Sequence, residues 1–142
     1  MFMHPIADLP VKNYYVPCRV ILVTSIGCGN SKDATPPSVY EVLKDCLAQK
    51  EKAERVLSRY YTNMNWTIIR PGGLVSEAET TKAILTEDTM AIGSIHRGDV
   101  ADLVVQALSS KKTEKKILSA VDPSIASASN PDGVTSEAFA LA

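Results

Sequence analysis

The sequence predicts an α/β fold built on a parallel sheet. Three short apolar stretches rich in β-branched residues alternate with two long helical patterns, and a turn signal stops each stretch. Strand–helix–strand–helix–strand is the order that right-handed crossovers join into a parallel sheet. At 142 residues with 45% hydrophobic and 22% charged residues, the chain has the make-up of one globular domain.

The first strand is "RVILVTS", Arg19 to Ser25, a nearly continuous apolar run of the kind expected when both faces are buried. The first helix opens at "SVYE", a capping box in which Ser38 caps the first turn and Glu41 reaches back. It continues to Tyr60, and Val39, Leu43, Cys46, Ala53, Leu57 and Tyr60 form its apolar stripe. The second strand is "WTIIRP", Trp66 to Pro71, stopped by Pro-Gly-Gly. Residues 75–98 form a polar connection, long enough to be functional or disordered. The second helix opens at Asp99 as N-cap, with Val100, Leu103, Val104, Ala107 and Leu108 on one side. Lys111 and Lys112 follow its end, where the helix dipole favours cations. The third strand is "KKILSAV", Lys115 to Val121, stopped by Asp122-Pro123. Residues 124–142 read as a small, polar, partly flexible tail, and residues 1–18 as a proline-broken leading segment.

Charge and cysteine usage exclude several classes. The net charge of −1 is dispersed, with no basic cluster for nucleic acid or an anionic membrane. No apolar run approaches the ~20 residues that span a bilayer. Three widely spaced cysteines form no CxxC, which argues against a disulfide framework and a zinc site. A reducing, cytoplasmic location and no bound metal are the expectations.

"VILVTSIGCGNS", Val20 to Ser31, imitates the glycine loop of a dinucleotide-binding fold but fails the test. Gly27 and Gly29 fill two positions of GxGxxG, while Lys32 holds the third. Thr35-Pro36-Pro37 also postpones the helix, so its N-terminus cannot face a pyrophosphate held by those glycines. The stretch reads instead as a strand whose carboxyl end lines a ligand crevice, with Thr24 and Ser25 offering hydroxyls. Pro71-Gly72-Gly73 ends the neighbouring strand and allows close backbone approach.

Tyr40 and Lys44 form a literal YxxxK, but Lys44 lies about 140° from Val39 and should face water. Lys50 falls about 20° from Val39, inside the apolar stripe. It either snorkels to solvent or serves a site. Cys46, one turn earlier, reads as a small core residue.

"VILVTSIG", "KEKAERVLSRYYTNMNWTIIRPGGL" and "SIHRGDVADLVVQAL", in that order, resemble the C-terminal half of an atypical short-chain dehydrogenase/reductase of the NmrA-like, NAD(P)-binding branch. The resemblance spans roughly residues 19–123. It implies a partial Rossmann-like sheet of three core strands with two main helices, and the N-terminal dinucleotide-binding half missing.

The cofactor implied is NADP or NAD, and the activity an NAD(P)H-dependent oxidation–reduction of a small organic substrate. A non-catalytic NAD(P)-sensing or partner-binding module is the alternative. Ser25 and Lys50 match the family's catalytic positions. Thr24, Ser25, Lys50, Pro71, Gly72, Gly73 and Leu74 match its cofactor-binding ones. Asp99 matches a helix-capping aspartate, and His96 and Arg97 lie where a substrate could be reached, although a loop histidine is also often simply solvated.

Cys46 stands where the family's catalytic tyrosine would be, and the phosphate-binding glycine loop has no counterpart. The resemblance thus implies a truncated form with weak or no cofactor binding, whose exposed first-strand edge invites a homodimer.

Overall fold

The computed structural model describes residues 19–125 and 136–142. The leading segment 1–18 and the middle of the expected flexible tail, 126–135, lie outside the described residues. The elements run β1 (Arg19–Val23), α1 (Pro37–Tyr60), β2 (Asn65–Pro71), β3 (Gly73–Val75), β4 (Ile84–Thr86), β5 (Ser94–His96), α2 (Arg97–Ser109) and β6 (Lys116–Val121). A 3-10 turn over Gly29–Ala34 separates β1 from α1.

The α/β class holds. β1, β2 and β6 form a parallel sheet, with Leu22 opposite Ile68 and Ile69 opposite Leu118. β4 joins β6 antiparallel and completes the order β1-β2-β6-β4. Adjacent residues of a strand point to opposite faces, and β2 shows the consequence. Ile68 packs with Leu57, Tyr61, Met64 and Trp66, at the α1 end of the molecule. Ile69 packs with Leu85, Ile95, Leu103, Ala107 and Leu118, on the α2 side. Full burial of an Ile or Leu side chain contributes about 1.5–3 kcal/mol, so these two clusters on β2 dominate the apolar stabilisation.

Several expectations need correction. β1 is half-buried rather than buried on both faces, and Val23 is 45% exposed, because β1 is the outermost strand of the described sheet. The central strand β2 carries the burial instead.

Ser38 does not cap α1. The helix starts on Pro37 after Pro36, with no side-chain cap bond, and proline's fixed φ suits that first position. The inward face of α1 is also not the expected one. Leu47, Glu54 and Leu57 are buried, whereas Val39, Leu43 and Tyr60 are 42, 40 and 62% exposed and Cys46 faces out. Leu57 is buried as expected, but elsewhere the stripe shifts by one residue, to Leu47, Glu54 and Tyr61 in place of Cys46, Ala53 and Tyr60. A buried carboxylate at position 54, satisfied by a partner from β2, defeats the apolar pattern.

Asp99 does not cap α2 either. It lies within the first turn, and α2 begins after His96. Its carboxylate accepts from the backbone N–H groups of Thr80 and Thr81, at 3.0 Å each.

The long connection is not irregular throughout. It contains β4 and β5, and β5 pairs parallel with β3, whose last residue, Val75, stands opposite His96. Strands of three residues are too short to show a period. Residues 136–142 return to the body of the protein. Phe139 donates its N–H to the Leu85 carbonyl at 2.7 Å, and Phe139 and Leu141 pack on the α2-side core. Among the described residues no helix is long and apolar enough to cross a membrane.

Candidate functional site

β1 and β2 run parallel, so their carboxyl ends emerge side by side and the chain leaves both in the same direction. There the backbone N–H of Ile26 donates to the Pro71 carbonyl at 2.9 Å, tying the two exits together. A cleft of about 200 Å³ opens over them. Ser25, Ile26, Pro71, Gly72 and Gly73 form one side, and Val39 and Leu43 of α1 face it. The exposed upper stripe of α1 is therefore a cleft wall rather than a core face. Ile92, Gly93 and Ser94 close the far side.

The structure thus brings together Ser25, Pro71, Gly72 and Gly73. The Ser25 hydroxyl donates to the adjacent Ile26 carbonyl at 2.9 Å and is half-exposed, so a ligand could engage it by a small rotation. Gly72 has a structural reason to be glycine. A Cβ there would stand 2.2 Å from the Gly93 carbonyl oxygen, which itself accepts from Gly73 N–H at 2.9 Å. The expected approach of backbone to a ligand is in this case an approach to the adjacent Gly93 backbone.

Thr24 and Lys50 lie behind the cleft, not in it. The Thr24 hydroxyl is buried and donates to Glu54 Oε1 at 2.6 Å. Lys50 is half-buried and its ammonium donates to the Thr24 carbonyl at 3.4 Å. Leu74 is 50% exposed on β3.

Between these groups stands a buried ion pair that sequence reasoning missed. Arg70, on β2, donates to Glu54 through Nε at 3.0 Å and Nη2 at 2.8 Å, in a bidentate fork. Its Nη1 donates to Asn30 Oδ1 at 2.6 Å. The network fixes α1, β2 and the turn after β1 to one another. The glycines of that turn serve the same packing. Gly27 has φ +104°, and a Cβ would meet Leu47 at 2.9 Å; at Gly29, φ +52°, it would meet Arg70 Nη2 at 2.9 Å. The signal in the sequence was Glu54 falling four residues from Lys50, three from Leu57 and seven from Leu47 and Tyr61, on one helix face.

Beneath the turn, burial first and the nearby Glu54 charge second push the Cys28 thiol up to about 11. Cys28 is inaccessible, and its Sγ faces the Leu47 carbonyl at 3.7 Å. Such a thiol is a packing group, not a nucleophile.

His96 and Arg97 are separate from the cleft. Arg97 is exposed and hydrogen-bonds Ser76. His96 is 7% exposed, 3.7 Å from Asp99 Oδ2 through Nδ1 and 3.7 Å from Glu77 through Nε2. Asp122, just past β6, completes this group. Burial opposes its ionisation, but bonds from Ser124 and Thr80 and the His96 charge outweigh that and hold its carboxyl below the usual range.

Parallel strands whose carboxyl ends border a cleft, with a hydroxyl and a Pro-Gly-Gly turn at its edge, define a Rossmann-like nucleotide-binding protein. The NAD(P)H-binding family matches residues 17–111, and the chain belongs to it. An uncharacterized chloroplastic protein of Arabidopsis thaliana is 36% identical over 76 residues, which is 53% of this chain and 26% of that one. YhfK of Bacillus subtilis, described as an uncharacterized sugar epimerase, is 33% identical over 98 residues, 69% of this chain and 42% of its own. Among solved structures, ChuY of Escherichia coli O157:H7, described as an anaerobilin reductase, superposes with TM-score 0.71 at 29% identity. That match covers 78% of this chain and 52% of ChuY. The chain therefore spans about half or less of the proteins it matches.

A nicotinamide dinucleotide fits this arrangement at one end. The cleft offers Ser25, Ile26 and the Pro71–Gly73 turn to a flat ring. Among the described residues nothing presents a glycine loop at a helix N-terminus to a pyrophosphate, since Gly27 and Gly29 are packed against Leu47 and Arg70.

Proposed function

We propose that this chain supplies the nicotinamide and substrate side of an NAD(P)H-dependent oxidoreductase acting on a small organic molecule. The carrying observation is the cleft that joins Ser25 to Pro71, Gly72 and Gly73 at the carboxyl ends of β1 and β2. When bound, the nicotinamide supplies or accepts the hydride. Ser25 would turn from the Ile26 carbonyl to hydrogen-bond a substrate oxygen, while Val39, Leu43 and Ile92 exclude water. Lys50 would act from behind, through its bond to the Thr24 carbonyl, or by swinging its long stem toward a ribose. The reductase and epimerase descriptions of similar proteins support the reading.

The second reading is an NmrA-like NAD(P)-sensing or partner-binding module. An exposed Cys46, one turn before Lys50 where a proton-donating tyrosine would stand, favours it.

Amide chemical-shift mapping of the 142-residue chain with NADPH tests the site. Binding in the millimolar range that perturbs Ser25, Ile26, Gly72 and Gly73 is expected. Shifts confined to other surfaces, or a low-micromolar affinity, would overturn the proposal of a half-site at this cleft. Lys50→Leu separates the roles. A packing lysine should leave the shifts unchanged and keep or raise stability, whereas a site lysine should weaken them.

A further inference from the structure

We propose that His96, Asp99 and Asp122 form a binding site for one divalent transition-metal cation, with Zn²⁺ the best match. The three residues come from the end of β5, the first turn of α2 and the residue after β6. One ligand atom of each lies within 4.8 Å of those of the other two. All three are buried, at 7, 3 and 0% exposure.

The independent observation is the imidazole. Among the described residues His96 Nδ1 finds no hydrogen-bond partner although it is buried. The nearest carboxylate oxygen, Asp99 Oδ2, is 3.7 Å away, beyond hydrogen-bond range. An unpaired buried ring nitrogen is costly, and a cation between Nδ1 and the two carboxylates removes the cost.

The surroundings match a ligated imidazole. A metal-bound histidine characteristically directs its other ring nitrogen at a carboxylate, which fixes the ring. A carboxylate lies on the Nε2 side of His96, Glu77 at 3.7 Å, and it must move closer to make that bond. The carboxylates are held in place as well. Asp99 accepts from Thr80 and Thr81 backbone N–H groups, and Asp122 Oδ1 from Ser124 N–H at 2.8 Å. Asp122 Oδ1 also accepts from the Ser124 hydroxyl at 2.6 Å, whereas Asp99 Oδ1 and Asp122 Oδ2 each accept from one donor and keep a lone pair for a metal. The Thr80 hydroxyl, which bonds Asp99 at 3.4 Å and also Asp122, lies in the same group and offers a fourth oxygen.

One nitrogen with two or three oxygens suits Zn²⁺ or Mn²⁺ better than Mg²⁺ or Ca²⁺, which take all-oxygen sets. Bonds of about 2.0–2.2 Å require the three side chains to draw inward slightly. A bound ion would staple the 77–82 segment and α2 to the end of β6. Asp122 also donates its N–H to the Ser94 carbonyl at 2.9 Å, and Ser94 lines the cleft. The staple would therefore brace a cleft wall.

The test uses the 142-residue chain carrying Cys46→Ser, so that the exposed thiol takes no part. Calorimetry with Zn²⁺ should give one equivalent at micromolar affinity or tighter, unaffected by excess Mg²⁺. Co²⁺ should produce visible d–d bands, and Zn²⁺ should shift the ¹⁵N resonance of His96 Nδ1. His96→Gln and Asp122→Asn should each weaken binding at least on the order of tenfold, and Glu77→Gln about tenfold. The proposal fails if Zn²⁺ leaves the His96 Nδ1 resonance unmoved, or if both ligand variants bind as the parent does. The resonance is read on the unsubstituted site, so an unfolded variant does not blunt the test.

Discussion

Arg70→Met tests the buried network that sets the geometry behind the cleft. The side chains of Arg70 and Glu54 are 4 and 6% exposed, and two hydrogen bonds of 3.0 and 2.8 Å join them. Methionine keeps the apolar stem but removes the charge, leaving the Glu54 carboxylate buried with only the Thr24 hydroxyl donating to it. Removing one partner of a buried pair costs about 3–5 kcal/mol. Total stability of a domain this size is about 5–15 kcal/mol, so the variant should be marginal.

Glu54→Leu combined with Arg70→Met removes both charges. It leaves the buried Thr24 hydroxyl short of a partner, at about 1–3 kcal/mol, while exposed Asn30 can turn to water. The double variant should therefore be more stable than Arg70→Met alone. Urea unfolding followed by the fluorescence of the single tryptophan, Trp66, reads all of this; that residue is 7% exposed. An Arg70→Met loss under about 1 kcal/mol, or additive single and double variants, would refute the argument.

Two further outcomes follow from the same region. Gly72→Ala should cost about 1–3 kcal/mol by denaturant unfolding, because a Cβ 2.2 Å from the Gly93 carbonyl must push the Gly93 backbone away from Gly72. A change within about 0.5 kcal/mol would show that the two backbones are not in contact. Iodoacetamide at neutral pH should label Cys46 rapidly and Cys28 only on unfolding, as peptide mass spectrometry would show. Folding keeps the proton on Cys28 up to about 11 against an ordinary 9.0, so stability should fall as pH rises between those values. Cys28→Ala should flatten that slope, and an unchanged slope would place the titration elsewhere.

The fold was largely legible. Three β-branched runs and two helical patterns are local signals, and local signals survive into the structure when the elements are long. Ser25 and Pro71–Gly73 were legible as well, because parallel topology alone places strand ends side by side. The inward face of α1 was not, since Glu54 reads as a solvent-facing residue until Arg70 is brought against it from β2. The three-residue strands β3, β4 and β5 were equally invisible, because their pairing, not their composition, makes them strands.

The sequence by itself determined the α/β class, the parallel order of β1, β2 and β6, and the failure of Gly27 and Gly29 as a phosphate loop. Those depend on residue type and spacing along the chain. Only the tertiary structure decided that Lys50 stands behind the cleft, that Glu54 and Arg70 are buried as a pair, and that His96, Asp99 and Asp122 meet. Each of those joins residues from separate elements, and spacing along a chain carries no information about which buried polar groups will find each other across it.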